Sequence, residues 1–212
     1  IGPMTASKYF IPTLEKSFYL KNTAGTLAAI SSATPLGLMK NMIAGKVVSL
    51  PGTTDLLIGK IGGSIGEVSA LFLIIGAIWL FKRKYITWHL PVPFIGSVAF
   101  VTFLYGLATG VQISSEYSLF KNALVFSYMH LIGGGLILGA FYMLTDMVTS
   151  PLTRKGQIIM AVGAGLLTAI IRLFGGYPEG VMFAILLMNI IVPLIDRISR
   201  PKIYGWEVKN EN

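Results

Sequence analysis

The segment Ala29-Ile30-Ser31-Ser32-Ala33-Thr34-Pro35-Leu36-Gly37-Leu38 gathers three hydroxyls among small, uncharged residues. A hydroxyl in that setting is either an ordinary turn group or a point of covalent modification. Small neighbours let a bulky phosphate reach the oxygen, and Pro35 biases Thr34 towards an extended backbone that projects its side chain. A second candidate set is ionisable and lies inside or beside apolar runs: Glu67, His130, Asp146 and Arg172. Each has a plain reading and a functional one. Glu67 follows Gly62-Gly63-Ser64-Ile65-Gly66, where a carboxylate suits the positive end of a helix or an ion or cofactor site at a glycine-rich start. Arg172 stands near the end of a run, where a cation suits a helix C-terminus. His130 is deep within a run, as a functional group or as hydrogen-bonded packing. Asp146 either caps the break before Pro151 or meets a ligand.

Glycines surround these residues. Gly133-Gly134-Gly135 lies one helical turn from His130, and three consecutive glycines disfavour a helix strongly enough to predict a break there. Gly163 and Gly165 read as close backbone packing. Gly62-Gly63 and Gly175-Gly176 echo each other, each just before a helix and near a carboxylate, Glu67 or Glu179. The chain has no cysteine, which excludes disulfides, thiolate chemistry and cysteine-ligated iron–sulfur clusters on this polypeptide. His89 and His130 are far apart in sequence and show no metal-ligand spacing.

The elements that must hold these groups are membrane helices. Of 212 residues, 54% are hydrophobic and only 12% charged, and the mean hydropathy is +0.72. A soluble domain carries about 25% charged residues. Five runs are long enough to predict spans, at about 20 apolar residues each: 63–81, 91–112, 123–144, 157–174 and 178–195. Helices are the default for such runs, because unpaired backbone groups are not tolerated in lipid. The expected fold is therefore an all-α, polytopic integral membrane bundle of about five transmembrane helices. Residues 1–61 are expected to form an external segment, 62–196 the bundle and 197–212 a cytoplasmic tail.

The net charge of +8 belongs to membrane flanks, not to a nucleic-acid face, since no basic surface with interleaved aromatics is visible. Lys82, Arg83, Lys84, Arg154, Lys155, Arg197, Arg200 and Lys202 fall on one side of the bundle, whereas the short connections opposite hold Lys121, with Arg172 close by. The positive-inside rule places the basic side and the C-terminus in the cytoplasm and Thr34 outside.

Four blocks carry a family resemblance: GGSIGEVSA at 62–70, ITWHLPVPF at 86–94, GAFYMLTDMVTSPLTRKGQ at 139–157 and RLFGGYPEGVMFAILLMNIIVPLID at 172–196. With SSATPL at 31–36 they resemble, in order, the D subunit of the Rnf electron-transport complex. The B subunit of the sodium-translocating NADH:quinone reductase is a related family, and RLFGGYPEG favours the Rnf subunit. The resemblance implies a urea-transporter-like fold and a bacterial or archaeal cell membrane. It also implies a longer family chain that begins with several more spans, of which this sequence would be the C-terminal two-thirds. It implies that FMN is esterified through its phosphate to Thr34, with Ser31, Ser32 and Ala33 completing the acceptor pattern. Ser32 takes the usual glycine place and Ala28 stands where an aspartate is common. A noncovalent riboflavin is implied as well. The partners implied are the other Rnf subunits, including a second FMN-bearing subunit and iron–sulfur subunits. The function implied is electron transfer between ferredoxin and NAD coupled to Na+ or H+ movement, with this chain as a relay and scaffold. A small-solute channel of the same fold, without flavin, is the competing class.

Overall fold

The computed structural model describes residues 34–43, 52–59, 69–111, 113, 117–176 and 179–199, and all regular structure among them is helical. Eight helices follow in order among these residues: α1 Pro35–Ile43, α2 Thr53–Ile58, α3 Ala70–Lys82, α4 Pro91–Thr109, α5 Leu119–Ile132, α6 Leu136–Met143, α7 Arg154–Phe174 and α8 Val181–Ile198. Helices α4, α7 and α8 are long and apolar enough to cross a membrane, and α5 with α6 makes a fourth span if the bent pair is counted as one. The first expected span is represented by α3, an apolar helix of 13 residues. The run preceding it, with Gly62, Gly63 and Glu67, lies outside the described residues.

Local signals set the helix ends. Pro91 opens α4, where a missing N–H costs nothing, and Gly110 closes it in the left-handed region at φ 61°. Ser118 and Thr153 cap α5 and α7 by accepting from the amides of Lys121 and Gly156. The basic turn after α3 is ringed by Trp79, Tyr85 and Trp88, all exposed. Phe81 stacks on Trp88 at 3.8 Å between centroids, and Arg83 lies over Trp79. Aromatics beside lysine and arginine are what a membrane–water boundary selects.

The bundle is built on α4, which packs along α5 and α7, while α7 packs in turn on α8. Small residues set these approaches. A Cβ on Gly165 would fall 2.7 Å from the Phe94 carbonyl oxygen, and one on Gly106 would fall 3.2 Å from the Ala123 Cα. Buried hydroxyls are satisfied within the bundle. Thr102 donates to the Val98 carbonyl at 2.8 Å, and Ser127 donates across to the Ala99 carbonyl at 3.0 Å. One core cluster joins α4, α6, α7 and α8 around Phe94, Leu136 and Met160. The other joins Leu36 and Met39 of α1, Leu56 of α2 and Ala70 of α3 to Phe126, Met129, Ile132, Ile137 and Leu173. Large apolar side chains such as Phe72, Phe100, Phe183 and Ile190 remain exposed on the outer helix faces, as a lipid-facing surface requires.

Candidate functional site

Thr34 is the residue at which α1 begins. Its carbonyl accepts from the Leu38 amide at 3.0 Å, the first rung of the helix, and its Oγ1 accepts from the Gly37 amide at 3.3 Å. Threonine at the cap followed by proline in the first helical position is a strong helix start, because the ring pre-sets φ and has no N–H to lose. Thr34 itself is half-buried. Leu36 and Met39, one helical turn apart, are 2% and 1% exposed. Burying each stabilises α1 by about 1.5–3 kcal/mol relative to water. The hydroxyl is thereby held at one fixed end of a docked nine-residue helix, and Ser31, Ser32 and Ala33 lie outside the described residues.

α1 docks on a break in the bundle. Between α5 and α6 the chain turns by 63°. Gly133 is extended, Gly134 takes φ 69°, and the helix resumes after Gly135. The left-handed conformation at Gly134 is one that a side chain resists. Space gives the same answer: a Cβ on Gly134 would stand 2.5 Å from Leu36 Cδ1, 3.4 Å from Glu179 Oε1 and 3.5 Å from Arg172 Nη2. Leu36 thus lies directly on the glycine backbone, with a carboxylate and a guanidinium beside it.

Breaking a helix frees carbonyls, and inside a membrane these need partners. Arg172, 2% exposed on α7, reaches across to supply them. Its Nη1 donates to the His130 carbonyl at 2.5 Å and its Nη2 to the Gly133 carbonyl at 3.5 Å. Such carbonyls could ligate a cation in a transporter; here the chain provides its own tethered cation. The His130 ring is also 2% exposed, meets the Phe126 ring edge-on at 4.6 Å, and has both nitrogens without a hydrogen-bond partner among the described residues. One turn beyond Arg172, the Gly175 carbonyl that ends α7 accepts from Lys40 Nζ of α1.

Asp146 lies elsewhere, at the end of α6 away from the break. Its carboxylate accepts from the Val148 amide at 3.4 Å and the Thr149 hydroxyl at 3.2 Å, so it caps the local turn. It also lines a cavity of about 350 Å³ with Tyr142, Met143, Met182 and Asn189, and the Asn189 Oδ1 is buried without a partner among the described residues. α6 is wound as a π-helix over Gly139–Met143. Such a segment is rare and frequent at functional positions.

The structure therefore brings His130 and Arg172 together under the helix that starts at Thr34, and leaves Asp146 apart from them. Glu67 lies outside the described residues. Arg172 stands in the last turn of α7, where the sequence places it, and its guanidinium also donates to carbonyls at the end of α5. Leu36, Lys40 and Glu179 also belong to the assembly. Thr-Pro followed by apolar residues at three-residue spacing was the available signal for α1. Among the described residues no three His, Asp or Glu side chains converge as a metal site would require.

Known proteins share this sequence over most of its length. The chain is 45% identical over 190 residues to the D subunit of the proton-translocating ferredoxin:NAD(+) oxidoreductase complex of Clostridium ljungdahlii, covering 87% of this chain and 54% of that one. It is 44% identical over 185 residues to the D subunit of the Na(+)-translocating ferredoxin:NAD(+) oxidoreductase complex of Acetobacterium woodii, with coverages of 86% and 52%. It is 40% identical over 194 residues to the D subunit of the ion-translocating oxidoreductase complex of Stutzerimonas stutzeri, with coverages of 88% and 52%. The chain thus spans about half the length of the curated relatives it matches. The family model described as NQR2, RnfD, RnfE matches residues 3–205, nearly the whole sequence. The chain belongs to the NQR2, RnfD, RnfE family.

Proposed function

We propose that this chain is the D subunit of a membrane ferredoxin:NAD oxidoreductase complex that couples electron transfer to Na+ or H+ translocation, and that it carries FMN on Thr34. Its partners are then the other Rnf subunits, among them a second FMN-bearing subunit and iron–sulfur subunits. The Clostridium ljungdahlii and Acetobacterium woodii relatives are named for this reaction, which supports the reading, and they differ in the ion. The observation that carries the attachment is the position of Thr34 Oγ1 at the N-terminus of α1. A phosphoester there puts negative charge against the positive end of a helix dipole, worth about 0.3–1 kcal/mol at an exposed site. Pro35 has no N–H and the Leu38 amide already donates to the Thr34 carbonyl, so the phosphate oxygens have the Leu36 and Gly37 amides to meet. Bound FMN accepts and donates electrons; the protein's own part is to fix where the phosphate sits. Thr34 supplies the nucleophilic oxygen, Gly37 keeps bulk away from it, since a Cβ there would come within 3.3 Å of Oγ1, and Leu36 and Met39 hold the helix down. Riboflavin has no assigned residues in this reading. The cavity at Tyr142, Asp146 and Asn189 is a separate candidate contact region.

The test of attachment is mass spectrometry of the peptide containing Thr34, from protein made with its native flavin transferase. The peptide is expected to carry the mass of FMN less water. Only the unmodified mass would support the flavin-free channel reading instead.

Sidedness belongs to the same proposal, with Thr34 outside and the basic turns in the cytoplasm. The chain lacks cysteine, so single cysteines report cleanly. Cysteines at Lys84, after α3, and at Tyr117, before α5, are expected to react with impermeant maleimides from opposite faces of the membrane. Reaction of both from one face overturns the orientation.

A further inference from the structure

We infer that the glycine break and Arg172 form a socket that fixes the position of Thr34, so that Gly134, Arg172 and Leu36 are positioning residues for the group borne on that threonine. The inference rests on the reading of Thr34 as the attachment point, although the contacts of the socket do not depend on it. Three contacts make it. Leu36, two residues from Thr34, lies on the backbone of Gly133 and Gly134, close enough that a Cβ on Gly134 would reach to 2.5 Å from its Cδ1. Arg172 holds that backbone in its open form by donating to the carbonyls of His130 and Gly133. Lys40, at the far end of α1, donates to the Gly175 carbonyl where α7 ends. The first and third contacts pin α1 near both its ends, so the helix has little freedom to pivot. The second contact explains why the break exists where it does. An unbroken α5–α6 helix would pair the His130 and Gly133 carbonyls within itself and leave none for Arg172.

The consequence is mechanical. An electron relay works only if its distance to the next carrier is held, because tunnelling falls off exponentially with separation. A flavin on a loose loop would sample many distances. A flavin on the cap of a helix seated in a socket samples few. Arginine suits the task because its planar fork spans two carbonyls, which a lysine ammonium on a flexible stem does less well.

The experiment uses the assembled complex with a nitroxide on Thr34→Cys, the background from other subunits being removed by subtracting the unsubstituted complex. The label at position 34 is expected to give an immobilised line shape. Adding Leu36→Ala or Arg172→Gln is expected to sharpen it, with Arg172→Lys intermediate. In complexes that keep Thr34, the same substitutions are expected to lower ferredoxin-dependent NAD reduction, while the fluorescent band of this subunit persists. Should Arg172→Gln fail to assemble, Leu36→Ala decides alone, since it trims only the seated helix. An equally immobile label in Leu36→Ala overturns the socket. A mobile label in that variant, together with a wild-type chain that bears no flavin, upholds the socket and rejects the reading of Thr34. The two failures are thereby told apart.

Discussion

Thr34→Ala is expected to abolish covalent flavin fluorescence on this chain while leaving its level in the membrane close to that of the wild type. The substitution removes the oxygen on which a phosphoester depends. It also removes the cap contact from the Gly37 amide, which costs about 1 kcal/mol. That loss falls on one short helix whose docking rests on Leu36 and Met39, both buried in a core shared with α5 and α7. Among the described residues the hydroxyl's hydrogen bond is to Gly37 of its own helix, not to a spanning helix, so insertion has no reason to fail. Thr34→Ser keeps both the nucleophile and the cap, and is expected to retain part of the fluorescence. Loss of the threonine methyl group frees a rotor and makes the oxygen less well placed. The measurement is ultraviolet fluorescence of the subunit after denaturing electrophoresis, normalised to its abundance. An alanine variant that fluoresces as strongly as the wild type would put the attachment on another residue.

The architecture is legible in the sequence to the extent that it depends on composition and local chemistry. Runs of apolar residues mark α4, α7 and α8 closely, because length and hydropathy are properties of the run itself. The Gly133-Gly134-Gly135 triplet marks the break, because helix-breaking is local too. What fills the break is not legible. Arg172 sits 39 residues from Gly133 in sequence, and only the fold brings its guanidinium to those carbonyls. Along its own helix it is indistinguishable from an ordinary C-terminal cation. α1 is hidden for a different reason. Its hydroxyls and small residues draw attention to chemistry at Thr34 and resemble a plain turn. Yet Leu36 and Met39 are the visible start of a helical face, and Thr-Pro is a cap. The resemblance to the Rnf subunit, carried by four blocks within 62–196, agrees with the family match over 3–205.

Gly134→Leu is expected to be the most damaging single substitution at the break. Two costs combine. The backbone at φ 69° is strained for any residue with a Cβ, at about 1–3 kcal/mol. The side chain must also enter space already held by Leu36, with Glu179 and Arg172 on the other sides, and overpacking a filled site costs about 1–3 kcal/mol more. A domain has only about 5–15 kcal/mol of net stability to lose, so a drop of several degrees in the melting midpoint of detergent-purified complex is expected, with a reduced yield of assembly. Relief is available only by expelling Leu36, which unseats α1, or by rewinding the break, which displaces Arg172 from the His130 and Gly133 carbonyls. Gly134→Ala carries the same backbone strain with a smaller intrusion and should fall between. Gly96→Leu is the matched control: it lies on α4 with nothing within 4 Å of the place a Cβ would take, and a lipid-facing leucine there should leave melting unchanged. Wild-type melting and assembly in Gly134→Leu would mean that the turn tolerates a Cβ and that the glycine is not what shapes the break.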